Sequence, residues 1–288
     1  MQRPRARIRR GPRAAWAPVV PVLVACLACA STPAEGPGRA AAPEAAPERP
    51  LGGEPSERAD ELRLLGIAAL RRGSYEEAAD YFERAVAIEK KPATVTPTAC
   101  DALQGMAEAY LNLDRAAEAE EPARRAVACR EQLYGPDHPQ VGGSFLLTGG
   151  VYYRLSRLDE AVVAWEKALE IYVRSETLSD PEHAVVLANL GRAYLERGEV
   201  KKAEIAYVRL VALYERDIES GDEKLGMAWA DLGVVYFSTG RTARAYDAFL
   251  KALRILEPQL GPEDPAVVQV RRNLTAAARR LRQRKPSP

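Results

Sequence analysis

Side chains able to do covalent, acid–base or metal chemistry are few in this 288-residue chain, and they do not converge. There are two histidines, His138 and His183, and four cysteines, Cys26, Cys29, Cys100 and Cys129. Neither histidine belongs to an H-E-x-x-H pair, and no third ligand stands at useful spacing, so the pattern of a metal site is missing. Cys26 and Cys29 form a C-x-x-C, but inside an apolar run that spacing does not read as redox or metal chemistry. The sequence has no G-x-S-x-G, no P-loop and no G-x-G-x-x-G. Glu76, Glu77, Glu118, Glu120 and Glu121 read as solvated helix faces with i,i+4 partners. The expectation is a protein with no catalytic residues, no cofactor and no metal.

What does recur is a register of small and aromatic residues. Gly66, Ala107, Gly149, Gly191 and Gly233 follow one another at spacings of 41, 42, 42 and 42. Three residues after each stands Ala69, Tyr110, Tyr152, Tyr194 or Tyr236, and four further on Gly73, Asp114, Ser156, Gly198 or Gly240. Ala78, Ala119, Ala161, Ala203 and Ala245 follow, then Phe82, Ala123, Trp165, Tyr207 and Phe249. Such a period marks a stacked repeat array. Within one unit, Leu187, Leu190, Gly191 and Tyr194 share a helix face, and Gly198 ends that helix. Ala203, Tyr207 and Leu210 mark a second helix, and the short turn forces the two antiparallel. One hairpin cannot bury both its faces, so neighbours must stack.

This order of small, aromatic and alanine residues resembles the tetratricopeptide repeat, and the 42-residue spacing resembles its kinesin-light-chain-type subgroup. The stretch AEAEEPARRAVACREQLYGPDHPQV (117–141) carries the likeness most strongly, and LGPEDPAVV (260–268) repeats its linker. The likeness covers about residues 57–282 and implies an all-α solenoid. The expected organisation is a signal segment (1–29), a Pro/Ala-rich linker (30–56), five repeats (57–257), a capping helix (258–284) and a tail (285–288). Asp180-Pro181, Asp264-Pro265 and His138-Pro139 read as N-caps followed by Pro at the first helical position. Ala123 with Pro122 in the second repeat, and Thr148 in the third, mark these two as the least regular.

Cys100 begins the first helix of the second repeat and Cys129 ends its second, which puts both at one level of the hairpin. They could pair in an oxidising compartment, closing a loop worth about 3–4 kcal/mol by chain entropy. Against this stands the roughly 8–10 Å between packed helix axes, since a disulfide wants its Cα atoms within about 7 Å. Two buried free thiols are the alternative.

Met1–Arg13 carries six arginines and no acid, and Ala14–Cys29 is apolar apart from Pro18 and Pro21. A basic start, a short apolar core and a small-residue exit form the pattern of a secretory signal. Leu23-Val24-Ala25-Cys26 resembles a bacterial lipobox, which implies a lipidated Cys26, with Cys29 as the competing site. Residues 30–56 hold one large apolar side chain, Leu51, and cannot offset their ordering entropy, so they read as a tether.

A net charge of +1 hides a split. Six basic residues lie in 1–13 and seven in 265–288, which leaves 28 basic against 40 acidic residues in 14–264, a net −12. An acidic body argues against nucleic-acid binding.

In the tetratricopeptide family the first helices line a concave binding face. Carried onto this chain, the pattern gives Arg63, Ile67, Leu70, Gln104, Glu108, Leu111 and Asn112 from the first two repeats. From the others it gives a more apolar strip of Leu146, Tyr153, Arg154, Val185, Arg192, Leu195, Met227, Val234 and Phe237, suited to an amphipathic helix or extended peptide. The family's carboxylate-clamp places hold Arg63, Ile67, Gly105, Gly143 and Leu147, of which only Arg63 could grip an acid. The expected function is a non-enzymatic protein-interaction scaffold of the bacterial cell envelope, in the periplasm or at the outer membrane, lipid-anchored, with a protein or peptide partner and no nucleic acid. Alternatives are a structural subunit of an envelope-assembly or pilus-type machine, and an intracellular adaptor if the N-terminus is not processed.

Overall fold

The computed structural model describes residues 54–89, 95–175, 181–217 and 223–283. Among them are eleven α-helices and no strand, in two compact units. The first unit holds α1 (Pro55–Arg72), α2 (Tyr75–Glu89), α3 (Pro97–Asn112), α4 (Ala116–Tyr134), α5 (Pro139–Arg154), α6 (Leu158–Arg174), α7 (Pro181–Glu196) and α8 (Val200–Asp217). The second holds α9 (Glu223–Ser238), α10 (Thr242–Leu260) and α11 (Pro265–Gln283). Cys26 and Cys29, the 1–29 segment, most of the 30–56 stretch, Asp180 and the 285–288 tail lie outside the described residues. No described helix is long and apolar enough to cross a membrane.

Within each unit every helix packs against the next. In the first unit α1 also touches α3, α3 touches α5, and α5 touches α7, so the odd-numbered helices form one layer and the even-numbered helices another. This is the stacked hairpin array that the 42-residue period predicts.

One close approach recurs in the pairs. A Cβ built on Gly66 would lie 2.7 Å from the Phe82 ring, on Gly149 2.4 Å from Trp165, on Gly191 2.7 Å from Tyr207 and on Gly233 2.5 Å from Phe249. The aromatic ring of each second helix thus rests on bare backbone of the first. In the second pair both members differ together. Ala123 replaces the ring and Ala107 replaces the glycine, and both are fully buried in one cluster with Leu147. A methyl fits on α3 because no ring comes from α4.

The turns repeat as faithfully. Ser74 N–H donates to Ala69 O, Arg115 to Tyr110 O, Arg157 to Tyr152 O, Glu199 to Tyr194 O and Arg241 to Tyr236 O, each between 2.8 and 3.0 Å. These are Schellman-type bonds around a left-handed residue. That residue is Gly73, Gly198 or Gly240 in three turns, but Asp114 and Ser156, both at φ 61°, in the other two. A cation lies over the tyrosine that ends each later first helix: Arg115 over Tyr110, Arg157 over Tyr152, Lys202 over Tyr194 and Arg241 over Tyr236, at 4.6–5.0 Å.

The expected irregularity of the second and third repeats is mild. Helix α4 runs unbroken through Pro122, and Thr148 satisfies its hydroxyl by donating to Ser144 O at 2.8 Å. The linkers hold the expected caps at two places: His138 Nδ1 accepts from Gln140 N–H at 3.2 Å, and Asp264 Oδ1 from Ala266 N–H at 2.8 Å. Helix α10 passes the expected boundary at 257 and stops at Leu260, before Gly261 at φ 86°. Pro258 is tolerated near the end of that last turn.

Gly149→Ala places a methyl against the buried Trp165 ring. Overpacking of this kind costs about 1–3 kcal/mol. Chemical denaturation should read that loss, while Ala107→Gly, which meets no ring, should lose only about 1 kcal/mol of helix propensity.

Candidate protein-binding surface

The layer formed by α1, α3, α5 and α7 carries a cavity of about 390 Å³. Its walls come from α1 (Ile67, Leu70, Arg71), α3 (Asp101, Gln104, Gly105, Glu108), α5 (Gln140, Gly143) and Glu182 at the start of α7, with Phe82 and Arg130 reaching in from the second layer. Gly143 leaves room for the Glu182 carboxylate, whose Oε2 would lie 3.4 Å from an added Cβ. Glu182 also accepts a hydrogen bond from the Tyr172 hydroxyl.

Arg130 organises this region. It is buried, and its guanidinium ties three helices together. Nη2 donates to Asp101 Oδ1 on α3 at 2.9 Å. Nη1 donates to Gln104 Oε1, to Gln140 O at 3.0 Å and to Ser144 Oγ at 3.2 Å on α5. Ser144 Oγ–H in turn donates to Gln104 Oε1 at 3.1 Å. The network reaches α1 through Arg63, which lies 2.8 Å from Asp60 and 3.7 Å from Asp101. A buried guanidinium is tolerable only with such partners, and removing one strands the charge. The buried Nε of Arg130 has no hydrogen-bond partner, so the network keeps one unused donor beside the cavity. Arg63, the only residue fit for the carboxylate clamp, is already held by two aspartates.

The cysteines on either side of this network are bonded. Cys100 and Cys129 form a disulfide with Cα atoms 5.4 Å apart. The objection from helix spacing fails for a geometric reason. Each Cα stands about 2.3 Å off its helix axis, so facing Cα atoms of helices about 8–10 Å apart come some 4.6 Å closer than the axes do. Each cysteine precedes a partner in the ion pair: Asp101 follows Cys100 and Arg130 follows Cys129. The covalent and ionic links therefore stand side by side.

The apolar strip expected further along the chain is less open. Leu146 is 7 % exposed and Arg192 8 %. They hold the register places of Gln104 and Glu108, which are 5 % exposed and line the cavity, and the Leu146 carbonyl accepts from Trp165 Nε1–H at 3.1 Å. Tyr153 is half-buried, with its ring 5.8 Å from Trp165 and its hydroxyl donating to Glu196 at 2.6 Å. Burial first, then the Glu196 hydrogen bond, raises its phenol above the ordinary value. Arg154 pairs with Asp114, and Val185 and Leu195 are half-buried. In the second unit Met227, Val234 and Phe237 pack on the α9–α11 cluster. Arg280 lies 5.1 Å over the Phe237 ring and covers it.

Sequence reasoning placed Ile67, Leu70, Gln104 and Glu108 on the inner face, and these four line the cavity. It missed Arg130. The signal was present, since Ala119, Ala123, Ala126 and Arg130 share one buried stripe of α4 and only the last is charged.

The tetratricopeptide repeat models match residues 59–92, 98–172, 144–216 and 228–255. Among curated proteins, a clustered mitochondria protein homolog from Kluyveromyces lactis is 35 % identical over 75 residues, 26 % of this chain and 6 % of that protein. Among solved structures, a putative kinesin light chain with nearly identical TPR-like repeats from Podosopora anserina superposes with a TM-score of 0.61 at 22 % identity, over 72 % of this chain and 98 % of that one. BtubC (BKLC) from P. vanneervenii gives 0.58 at 20 % identity, over 80 % and 85 %. The apo form of RapI gives 0.62 at 17 % identity, over 77 % and 84 %. At these identities the likeness speaks for the fold.

Reducing the disulfide, or replacing it in Cys100→Ala, Cys129→Ala, should lower unfolding stability by about 3–4 kcal/mol, the entropy of a loop of this size. Denaturant titration with and without reductant reads it directly. Equal midpoints would mean that the link adds nothing to the α3–α4 pair.

Proposed function

Because the chain belongs to the tetratricopeptide repeat family, we propose that it is a lipid-anchored scaffold of the bacterial cell envelope, which holds a peptide or helix of another protein on its odd-helix layer. The family's fold supports protein binding in general. The envelope and the anchor rest on the arginine-rich start, the short apolar run and the Leu23-Val24-Ala25-Cys26 pattern. Cys26 is the proposed lipidation site, with Cys29 as the competitor. The Cys100–Cys129 bond agrees with this placement, because disulfides persist in oxidising compartments.

The observation that carries the binding site is the cavity built by α1, α3 and α5. Its walls join apolar Ile67 and Leu70 to the charged Arg71, Asp101, Glu108, Arg130 and Glu182. Apolar floor with opposed charges at the edges suits a segment that buries one or two apolar side chains and pairs its polar groups at the rim. The half-buried Tyr153, Val185 and Leu195 extend that surface along the same unit. No catalytic role is assigned to any side chain here.

Two experiments test the reading. Labelled palmitate should enter the wild-type protein in cells and be lost from Cys26→Ala, Cys29→Ala; equal label in both would end the anchor proposal. Capture from cross-linked envelopes should return a partner that is lost, by about tenfold or more, in Ile67→Ala, Arg71→Glu. Both positions are accessible enough to change without unfolding the pair. Unchanged capture by a folded variant would move binding off this cavity. Partners at fixed stoichiometry would favour a machine subunit over a loose adaptor.

A further inference from the structure

Helix α1 of the first unit and helix α11 of the second are finished differently. In the later pairs of the first unit, the preceding hairpin covers one stripe of the first helix. At the register places of Leu64 these pairs hold Gly105, Leu147 and Asn189, all buried. At those of Ala68 they hold Ala109, Val151 and Ala193, all fully buried. Helix α1 has no hairpin before it among the described residues, and its stripe is open. Leu64 is 54 % exposed and Leu65 38 %. Glu57 and Glu61 lie on the same stripe and are exposed. A terminal repeat usually carries a polar outer face, and two leucines there are the departure.

In the second unit, α11 holds the register of a first helix, and among the described residues no helix packs on its outer side. Its inner stripe, Val267, Val270 and Ala277, is buried on α10. The stripe a second helix would cover carries Val268, Arg272, Thr275, Arg279 and Arg282, at the i, i+4, i+7 spacing of one face. Shallow hollows lie along it, lined by Val268, Ala276 and Ala278 between the arginines. Arg272, Arg279 and Arg282 are exposed.

We propose that the open stripe of α1 in one copy of this chain docks antiparallel on the open stripe of α11 in another copy. The two helices are nearly equal in length, 18 and 19 residues. Antiparallel pairing sets Glu57 against Arg282 and Glu61 against Arg279, while Leu64 and Leu65 meet Thr275 and the aliphatic stem of Arg272. Parallel pairing instead brings Arg71 against Arg282, a like-charge clash. Charge thus selects both the partner face and its direction. The contact is heterologous, since the two surfaces differ, so it joins copies into closed rings or open chains according to the rotation it imposes. One helix-on-helix face is small, so the association is weak and concentration-dependent.

The test is sedimentation velocity of the full chain over a concentration series, in a Cys26→Ala, Cys29→Ala background so that no acyl chain contributes. The wild-type chain should form oligomers as concentration rises, and salt should dissolve them. Glu61→Lys alone and Arg279→Glu alone should each weaken association by about tenfold or more, and the two together in one chain should restore it. Neither side chain touches the core, and circular dichroism controls the fold. A strictly monomeric protein at all concentrations overturns the proposal. So does a closed dimer that Leu64→Ser, Leu65→Ser abolishes while Arg279→Glu leaves it intact, which would be α1 on α1. Association indifferent to all these changes would place the contact elsewhere and equally overturn it.

Discussion

Everything in this molecule hangs on how closely two antiparallel helices can approach. At Gly66, Gly149, Gly191 and Gly233 a ring from the second helix sits where any side chain on the first would be. That contact sets the spacing within a pair and buries the largest side chains, Trp165, Tyr207, Phe82 and Phe249, almost completely. Burying a side chain of that size is worth about 1.5–3 kcal/mol, so one contact per pair supplies much of its margin. At the first junction the same ring also serves the next pair. Phe82 meets Gly66 in its own pair and Gly105 in the next, at 2.7 and 2.3 Å from a hypothetical Cβ.

The second pair is the exception that explains two other features. Without a ring on α4, alanines, Ala107, Ala119, Ala123 and Ala126, hold the places of the close contact. Alanines let helices come close but bury little area. In that pair the helices are instead joined by the Cys100–Cys129 bond and by the Arg130–Asp101 ion pair. The polar network and the cavity beside it lie where the apolar seam is thinnest. A thin seam leaves room for a buried guanidinium, and the guanidinium in turn holds α3, α4 and α5 in fixed relation around the cavity. Packing poverty and binding potential thus share one cause.

The fold was legible because periodicity survives substitution. A spacing of 42 residues, with small and aromatic residues in fixed order, specified the helices, their turns and their stacking before any coordinate. Even the turns without glycine were placed correctly at Asp114 and Ser156, because register located them where composition could not. The surface was less legible. The register that placed Gln104 and Glu108 on the cavity wall puts Leu146 and Arg192 at the equivalent places of later pairs, but how deeply a place is buried depends on neighbouring side chains that the period does not specify. Arg130 was missed because it lies on a second helix, outside the strip that the family pattern assigns to binding. The disulfide was left open because axis separation was set against a Cα criterion, and the two differ by the helix radius on each side.

Stacked repeats differ from closed globules in that their interior has two unavoidable open ends. Within the array, a place such as Gly105 or Leu147 is buried by its neighbour; at α1 the equivalent Leu64 is not. Helix α11 meets the same problem with arginines along its outer stripe, and its basic charge lies at the C-terminal end, where the helix dipole favours cations. The arginines therefore have a sufficient structural reason as a solvated cap. The leucines of α1 have none, since two exposed apolar side chains beside Glu57 and Glu61 neither solvate the end nor strengthen the first pair. A basic stripe on α11 and an apolar, acidic stripe on α1 make an asymmetric, charge-complementary couple. That asymmetry follows from the sequence of two helices alone.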